Sequence, residues 1–241
     1  PTGSGKSSTM YTMVRERNTE QVKLITLEDP VEYNIDGVNQ VQINEKAGMT
    51  FASGLRSILR QDPDIIAVGE IRDHETAEIA MRAAMTGHLV ITTIHTEDAV
   101  SAIDRLKDMG VAPYLISAGV RGIISQRLLR RICPNCKVVE QMTPDKLAAA
   151  GLPTRPGRIF YHGRGCDNCF NTGYRGRIGD FEVLVMNDAL RKCITDGGDK
   201  QEFQRLAHET GYVTMLENAD KLVDEGITTV DEVMRTITGI D

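Results

Sequence analysis

Five consecutive residues, GSGKS at 3–7, carry the most specific chemistry in the chain. They are the working end of the phosphate-loop pattern GxxxxGK[ST]. Gly3 and Gly5 let the backbone turn its N–H groups inward, and Lys6 can reach the β- and γ-phosphates. The Ser7 hydroxyl is the expected magnesium ligand, with Ser4 and Ser8 beside it in the same cradle. A helix beginning here points its positive end at the anion. The leading Gly of the pattern is not in the sequence, and in such folds it stands at the end of a central β-strand. The segment is therefore expected to belong to a longer polypeptide, to lack one core strand, and to bind nucleotide weakly by itself.

Three further stretches suit γ-phosphate chemistry. EDPVE (28–32) follows an apolar run and sits at a strand end, where α/β sheets place ligands. Asp29-Pro30 forces a turn, so Glu28 and Glu32 can both return to the site; Glu28 and Asp29 are assigned to the nucleotide and Glu32 to catalysis. DIIAVGEIRD (64–73) is an apolar strand ending in an acid. Most proteins with a phosphate loop end that strand in Asp-Glu; here Gly69 replaces the Asp and Glu70 remains. TGHLVITTIHT (86–96) carries His88 and His95 on either side of a strand, where a His can touch a phosphate or sense its loss. Charge on a transferring phosphoryl group must also be neutralised, and Arg56, Arg60 and Arg72 lie beside the acidic motifs. The alternative for these arginines is a solvated helix face or a salt bridge.

A different chemistry is written by CPNC (133–136) and CDNC (166–169), a CxxC-x29-CxxC arrangement. Two such knuckles fix four thiolates at tetrahedral spacing, and zinc is the expected ion, in a closed structural site. Disulfides are the alternative. Arg130, Arg131, Lys137 and Arg164 are near in sequence and could offset the charge of the four thiolates. Cys193 is left over and reads as a buried apolar residue.

The elements that must position these residues follow from periodicity. Residues 22–29, 64–70 and 89–96 are short, continuous apolar runs, as parallel strands covered on both faces should be. Helical patterns fall at 7–18, 51–61, 75–86 and 97–109, with Thr50 as an N-cap and Asp62-Pro63 as a stop. This alternation predicts an α/β sheet, with 39–44 as a shorter strand. Beyond Cys133 the chain is rich in Cys, Gly, Pro and Arg, with one short helix at 144–150, a loop at 151–158 and a strand at 177–185. Short helices at 189–195, 200–210, 215–225 and 230–236 read as a helical C-terminal appendage. The expected division is 1–132 for the nucleotide-binding core, 133–186 for a four-cysteine zinc lobe and 187–241 for the helical region. The net charge of −6 disfavours general polyanion binding, and a 5% aromatic content without Trp disfavours a base-stacking platform. No apolar run reaches the ~20 residues needed to span a bilayer.

Together GSGKS, LEDPVEY, LRSILRQDPDIIAVGEIRD and TGHLVITTIHT resemble the secretion ATPase family that drives type II secretion and type IV pilus assembly. The likeness continues through RLKDMGVAPYLIS (105–117) and SQRLLRRICPNC (125–136) and covers about three-quarters of the chain. It implies a RecA-like fold, ATP hydrolysis between subunits of a homo-hexameric ring, and an N-terminal half that this segment lacks. It implies that Lys6 and Ser7 hold phosphate and Mg²⁺, that Glu32 is the carboxylate of the Asp box, that Glu70 acts on the Mg²⁺ shell or the attacking water, and that His88 and His95 form the His box. It also implies ATP, magnesium and zinc as cofactors, a cytoplasmic position at the inner membrane, and a platform protein there as partner. Four-cysteine modules occur in the assembly and secretion members, and generally not in the retraction members. The rival readings are a RecA-like nucleic-acid motor and a nucleotide-binding module without turnover.

Overall fold

A computed structural model describes residues 2–239. The chain divides into two compact units, one formed by 6–123 with 184–211, the other by 1–5, 124–183 and 212–241.

The first unit is an α/β layer. Its strands β1 (Leu24–Glu28), β2 (Asn39–Gln42), β3 (Ile65–Val68) and β4 (Leu89–Thr92) form one parallel sheet in the order β2-β1-β3-β4. β1 and β3 are buried along their whole length, as continuous apolar runs in the middle of a parallel sheet must be. β4 pairs only with β3 among the described residues, and its residues are exposed or half-buried. Helix α1 (Lys6–Arg17) buries Met10, Tyr11 and Val14 against Leu24, Ile35, Ile65 and Ala67. Helix α2 (Phe51–Leu59) starts at a capping box made by Thr50 and Ser53, as the sequence predicts for Thr50. Helix α3 (His74–Met85) is capped by Asp73, whose carboxylate accepts from the Thr76 N–H at 2.8 Å.

Helices α4 (Ser101–Asp108) and α5 (Pro113–Gly119) follow β4. α5 packs against α3 and against α7 (Asp188–Thr195), which in turn packs on α8 (Lys200–Glu209). Arg191 of α7 donates to the Ser117 carbonyl, and the Ser117 hydroxyl donates to the Arg191 carbonyl at 3.3 Å. These contacts seat α7 and α8 in the same unit as the parallel sheet.

In the second unit the long strand β5 (Gly122–Ile132) pairs with β8 (Tyr174–Val185), each running on into the first unit at one end. β6 (Lys137–Glu140) and β7 (Phe160–Gly163) form an antiparallel hairpin. Helices α6 (Pro144–Ala149), α9 (Met215–Asp224) and α10 (Val230–Val233) complete the unit. Its core joins Leu129, Leu147, Leu152 and Phe160 to Ala219, Val223, Val230 and Val233. This differs from the three-part division expected above. The segment around the cysteines has too little apolar surface for a core of its own and borrows it from α9 and α10. α7 and α8 belong with the sheet instead. Loop 151–158 is pinned by charge: Arg155 and Arg158 both pair with Asp220 and Asp224 of α9.

Candidate functional site

The phosphate loop has the backbone its glycines allow. Gly3 and Gly5 are both left-handed, at φ 75° and 90°, and α1 opens at Lys6. No acidic residue stands in the first turn of α1, and two arginines, Arg15 and Arg17, stand in its last, so the N-terminal end is left positive for an anion. Ser4 is buried, Lys6 is half-buried, and Ser7 and Ser8 are exposed. The donor set fits a polyphosphate: backbone N–H groups at a helix start, one ammonium and one hydroxyl.

The three acid- and His-bearing stretches end neighbouring parallel strands. Leu27 pairs with Val68, and Val68 with Thr92, so Glu28, Gly69 and Thr93 emerge side by side at the C-terminal edge of the sheet. The strand ends are tied together there. The Gly69 N–H donates to the Leu27 carbonyl at 2.8 Å, the Thr93 hydroxyl donates to the Gly69 carbonyl at 2.7 Å, and the Ile71 N–H donates to the Thr93 carbonyl at 3.0 Å. A Cβ at position 69 would lie 3.3 Å from the Leu27 carbonyl oxygen and 3.4 Å from the Glu28 Cα. Close approach of the two strand ends explains why Gly replaces the usual Asp.

Glu70 is the centre of this edge. Arg72 donates to one of its oxygens, and the His95 Nε2 lies 3.4 Å from the other. The hydrogen bond from Arg72, reinforced by the charges of Arg72 and His95, holds the Glu70 carboxyl below the usual carboxylate range against the opposing effect of burial. Asp29 is close enough to act electrostatically on Arg72.

Glu28 is placed differently. It is 2% exposed and accepts from the Tyr11 hydroxyl, the Thr26 hydroxyl and, at 3.1 Å, the Gln40 side-chain amide. It lies beneath the acidic loop and faces the core. Glu32 is exposed, and its backbone N–H donates to the Tyr11 hydroxyl at 3.0 Å. Among the described residues no contact joins His88 to Glu70. Its Nδ1 lies 3.0 Å from the Ala83 carbonyl and 3.3 Å from the Thr86 hydroxyl, so it closes the end of α3. Arg56 pairs with Glu75 of α3, and Arg60 donates to the Ser57 hydroxyl at the end of α2. Of the three arginines, only Arg72 is drawn to an acid of the sheet edge. Tyr11 escaped the sequence reading because an apolar-face tyrosine looks like core. Its one signal is a hydroxyl that burial obliges to find a partner.

The four cysteines of the second unit converge. Their Sγ atoms all lie within 4.8 Å of one another, and none is in a disulfide. Cys133 and Cys169 are buried. The spacings Cys133–Cys166 and Cys136–Cys169 are both 3.9 Å, and Cys166–Cys169 is 3.7 Å. Sulfurs held about 2.3 Å from a central zinc in a tetrahedron stand about 3.8 Å apart. The thiols fit that ion. Two of the four cations expected to balance them are engaged elsewhere. Arg130 pairs with the buried Glu232 and lies 4.1 Å from the Tyr174 ring centroid, and Lys137 donates to the Gly226 carbonyl.

A phosphate-loop sequence opening α1, and a parallel sheet with Glu70 and His95 in contact beyond its strand ends, mark an α/β protein of the phosphate-loop class. The model of the family described as "Type II/IV secretion system protein" matches residues 1–235, and the chain belongs to that family. It is 50% identical over 240 residues to the type IV pilus assembly ATPase PilB of Thermus thermophilus, covering 98% of this chain and 27% of that one. It is 45% identical over 235 residues to the type II secretion system protein E of Pseudomonas aeruginosa, covering 98% and 47%. The chain thus spans about a quarter to a half of the length of these relatives. Among solved structures it is similar to the pilus retraction motor PilT with bound ADP, with a TM-score of 0.72 and 33% identity over 98% of this chain and 58% of that one. The ATPase DotB of Legionella pneumophila gives a TM-score of 0.68 at 25% identity, covering 96% and 56%. No helix among the described residues is long and apolar enough to cross a membrane.

Proposed function

We propose that the chain is the nucleotide-hydrolysing part of a RecA-like motor subunit, working in a homo-hexameric ring that powers type IV pilus assembly or type II secretion. Its place would be the cytoplasmic face of the inner membrane, against a platform protein of the apparatus. The observation that carries this reading is the alignment of Glu28, Gly69 and Thr93 at one sheet edge, with Glu70, Arg72 and His95 in contact beside it.

In this reading Lys6 and the N–H groups of the loop hold the phosphates of ATP, and Ser7 would hold magnesium. The ion, when bound, supplies positive charge against the phosphate oxygens. Glu70, kept ionised by Arg72, orients the ion's water shell or the attacking water, and Glu32 projects from the neighbouring loop to share that task. His95 senses the γ-phosphate through its contact with Glu70. Arg72 is the arginine best placed to supply charge. Cys133, Cys136, Cys166 and Cys169 would hold zinc as a structural staple in the second unit. The half-exposed β4 supports the expectation of one further parallel strand beside it, which would lead into the phosphate loop.

The test is steady-state ATP hydrolysis by the full-length polypeptide with Lys6→Ala and Glu70→Gln. Lys6→Ala should abolish nucleotide binding. Glu70→Gln should retain binding while turnover drops by about 10²-fold or more. Unimpaired turnover in Glu70→Gln would refute the assignment.

A further inference from the structure

Glu32 would be the most mobile member of the proposed site, since it is exposed and lies on the loop that follows β1. Its position is nonetheless set from below. Four hydrogen bonds to the backbone of the 31–35 stretch come from side chains of α1 and β2, and the Val38 N–H donates to the Ile35 carbonyl at 3.2 Å. The Gln42 side-chain oxygen accepts from the Val31 N–H at 3.3 Å, and the Tyr11 hydroxyl accepts from the Glu32 N–H at 3.0 Å. Gln40 donates to the Tyr33 carbonyl at 3.2 Å and accepts from the Ile35 N–H at 2.6 Å. Tyr11 also meets the Tyr33 ring edge-on, with centroids 4.5 Å apart.

Tyr11 differs from the other holds because of where it starts. It is wholly buried and stands on α1, the helix that opens with Lys6 and Ser7. Its hydroxyl has one proton and it is given to Glu28, which leaves the oxygen lone pairs to receive the Glu32 N–H. Glu28 fixes the direction of that donation. Its two oxygens take donors from Tyr11, Thr26 and Gln40, one each from α1, β1 and β2. Burial, together with the adjoining Glu28 carboxylate, pushes the Tyr11 phenol up to about 12, so it stays a donor.

Resting on the proposed hydrolysis reading, we propose that Tyr11 is a positioning residue. Through one hydroxyl shared between Glu28 and the Glu32 amide, it fixes the Asp-box loop relative to the phosphate-binding helix. The ring packs; the hydroxyl sets the register. A displacement of about 1 Å between reacting groups can cost ~10²-fold in rate. Loss of the hydroxyl should therefore act on turnover more than on nucleotide binding.

The experiment compares the full-length wild type with Tyr11→Phe, Glu32→Ala, the Tyr11→Phe/Glu32→Ala double variant and the Tyr11→Phe/Glu28→Gln double variant. Tyr11→Phe should lower kcat for ATP by about 10- to 100-fold and leave KM within about threefold. Added to Glu32→Ala it should cost nothing more, because the grip has no carboxylate left to position. Tyr11→Phe/Glu28→Gln also removes the buried charge that loses a donor, and the turnover defect should persist in it. Hydrogen exchange of the 31–35 backbone should quicken in every variant lacking the hydroxyl. An unchanged kcat in Tyr11→Phe, losses that multiply with Glu32→Ala, or unchanged exchange at 31–35 would each overturn the inference. If the wild type did not hydrolyse ATP, the hydrolysis reading would fall and with it the rate effect, while the exchange result would still decide whether the hydroxyl holds the loop.

Discussion

Removing the metal from the cysteine cluster should destabilise the second unit by an amount that can be set in advance. Three sulfur spacings of 3.7–3.9 Å bracket the ~3.8 Å edge of a zinc–thiolate tetrahedron, so binding requires little rearrangement of the thiols. At free zinc about 100-fold above the dissociation constant, linkage stabilises the folded state by ~2.7 kcal/mol. For a unit of roughly 100 residues, each kcal/mol moves the unfolding midpoint by ~4–8 °C, giving a rise of ~10–20 °C. The purified protein should hold one zinc by elemental analysis, and a chelator should lower the midpoint of the second unit by that amount. Cys166→Ser should lose the ion and the chelator response together. The core of Leu129, Leu147, Phe160, Val223 and Val233 does not depend on the thiols, so the unit should loosen rather than unfold at room temperature. Nucleotide binding should survive in the full-length protein. A protein that purifies without metal, shows disulfides by mass, or melts identically with and without chelator would refute the reasoning.

Two further predictions concern stability. Gly69→Asp restores the residue usual at this strand position, yet it should destabilise by ~1–3 kcal/mol in denaturant titration, because its Cβ would press on the Leu27 carbonyl and the Glu28 backbone. Asp180 is fully buried, with one carboxylate oxygen lacking a partner; burial, helped by the nearby Glu182, raises its carboxyl to about 6, although Asn218 donates to it at 2.8 Å. Between the ordinary carboxyl value near 4 and that value the folded state binds more protons than the unfolded chain, so stability falls as pH rises through this window, by at most ~3 kcal/mol. Asp180→Asn should flatten that slope in unfolding measured at about pH 4.5 and 7.5.

What the sequence made legible were the features with local causes. β1 and β3 are apolar because both of their faces are covered, and Thr50 and Asp62-Pro63 mark their helix by backbone chemistry that needs no distant partner. Strand β5 was hidden because QRLLRRI mixes basic and apolar residues without clean alternation; its burial depends on what lies against each face. The core of the second unit could not be read either, since Leu147 and Phe160 find their partners on helices some 60–80 residues later in the chain. Within the site, residue types marked the acids and the histidines but not their directions. His88 and His95 look alike in sequence; one reaches a helix carbonyl and the other reaches Glu70.

Direction is what separates the three glutamates. Glu28 is surrounded by neutral donors, with both oxygens occupied, and cannot approach a nucleotide without breaking three hydrogen bonds in the core. Glu70 is partly buried and faces two basic groups, so its charge is held while one edge remains toward solvent. Glu32 is exposed, with its backbone anchored. On the proposed reading these surroundings divide the labour. A carboxylate that must stay ionised while charge develops on a phosphate needs a cation beside it, and of the three only Glu70 has one, in Arg72. One that must change partners during a cycle needs a free side chain on a fixed backbone, which is the condition of Glu32. The buried Glu28 supplies that fixity by accepting the proton of Tyr11, whose oxygen then receives the Glu32 N–H, so on this reading the least accessible acid sets where the most accessible one stands.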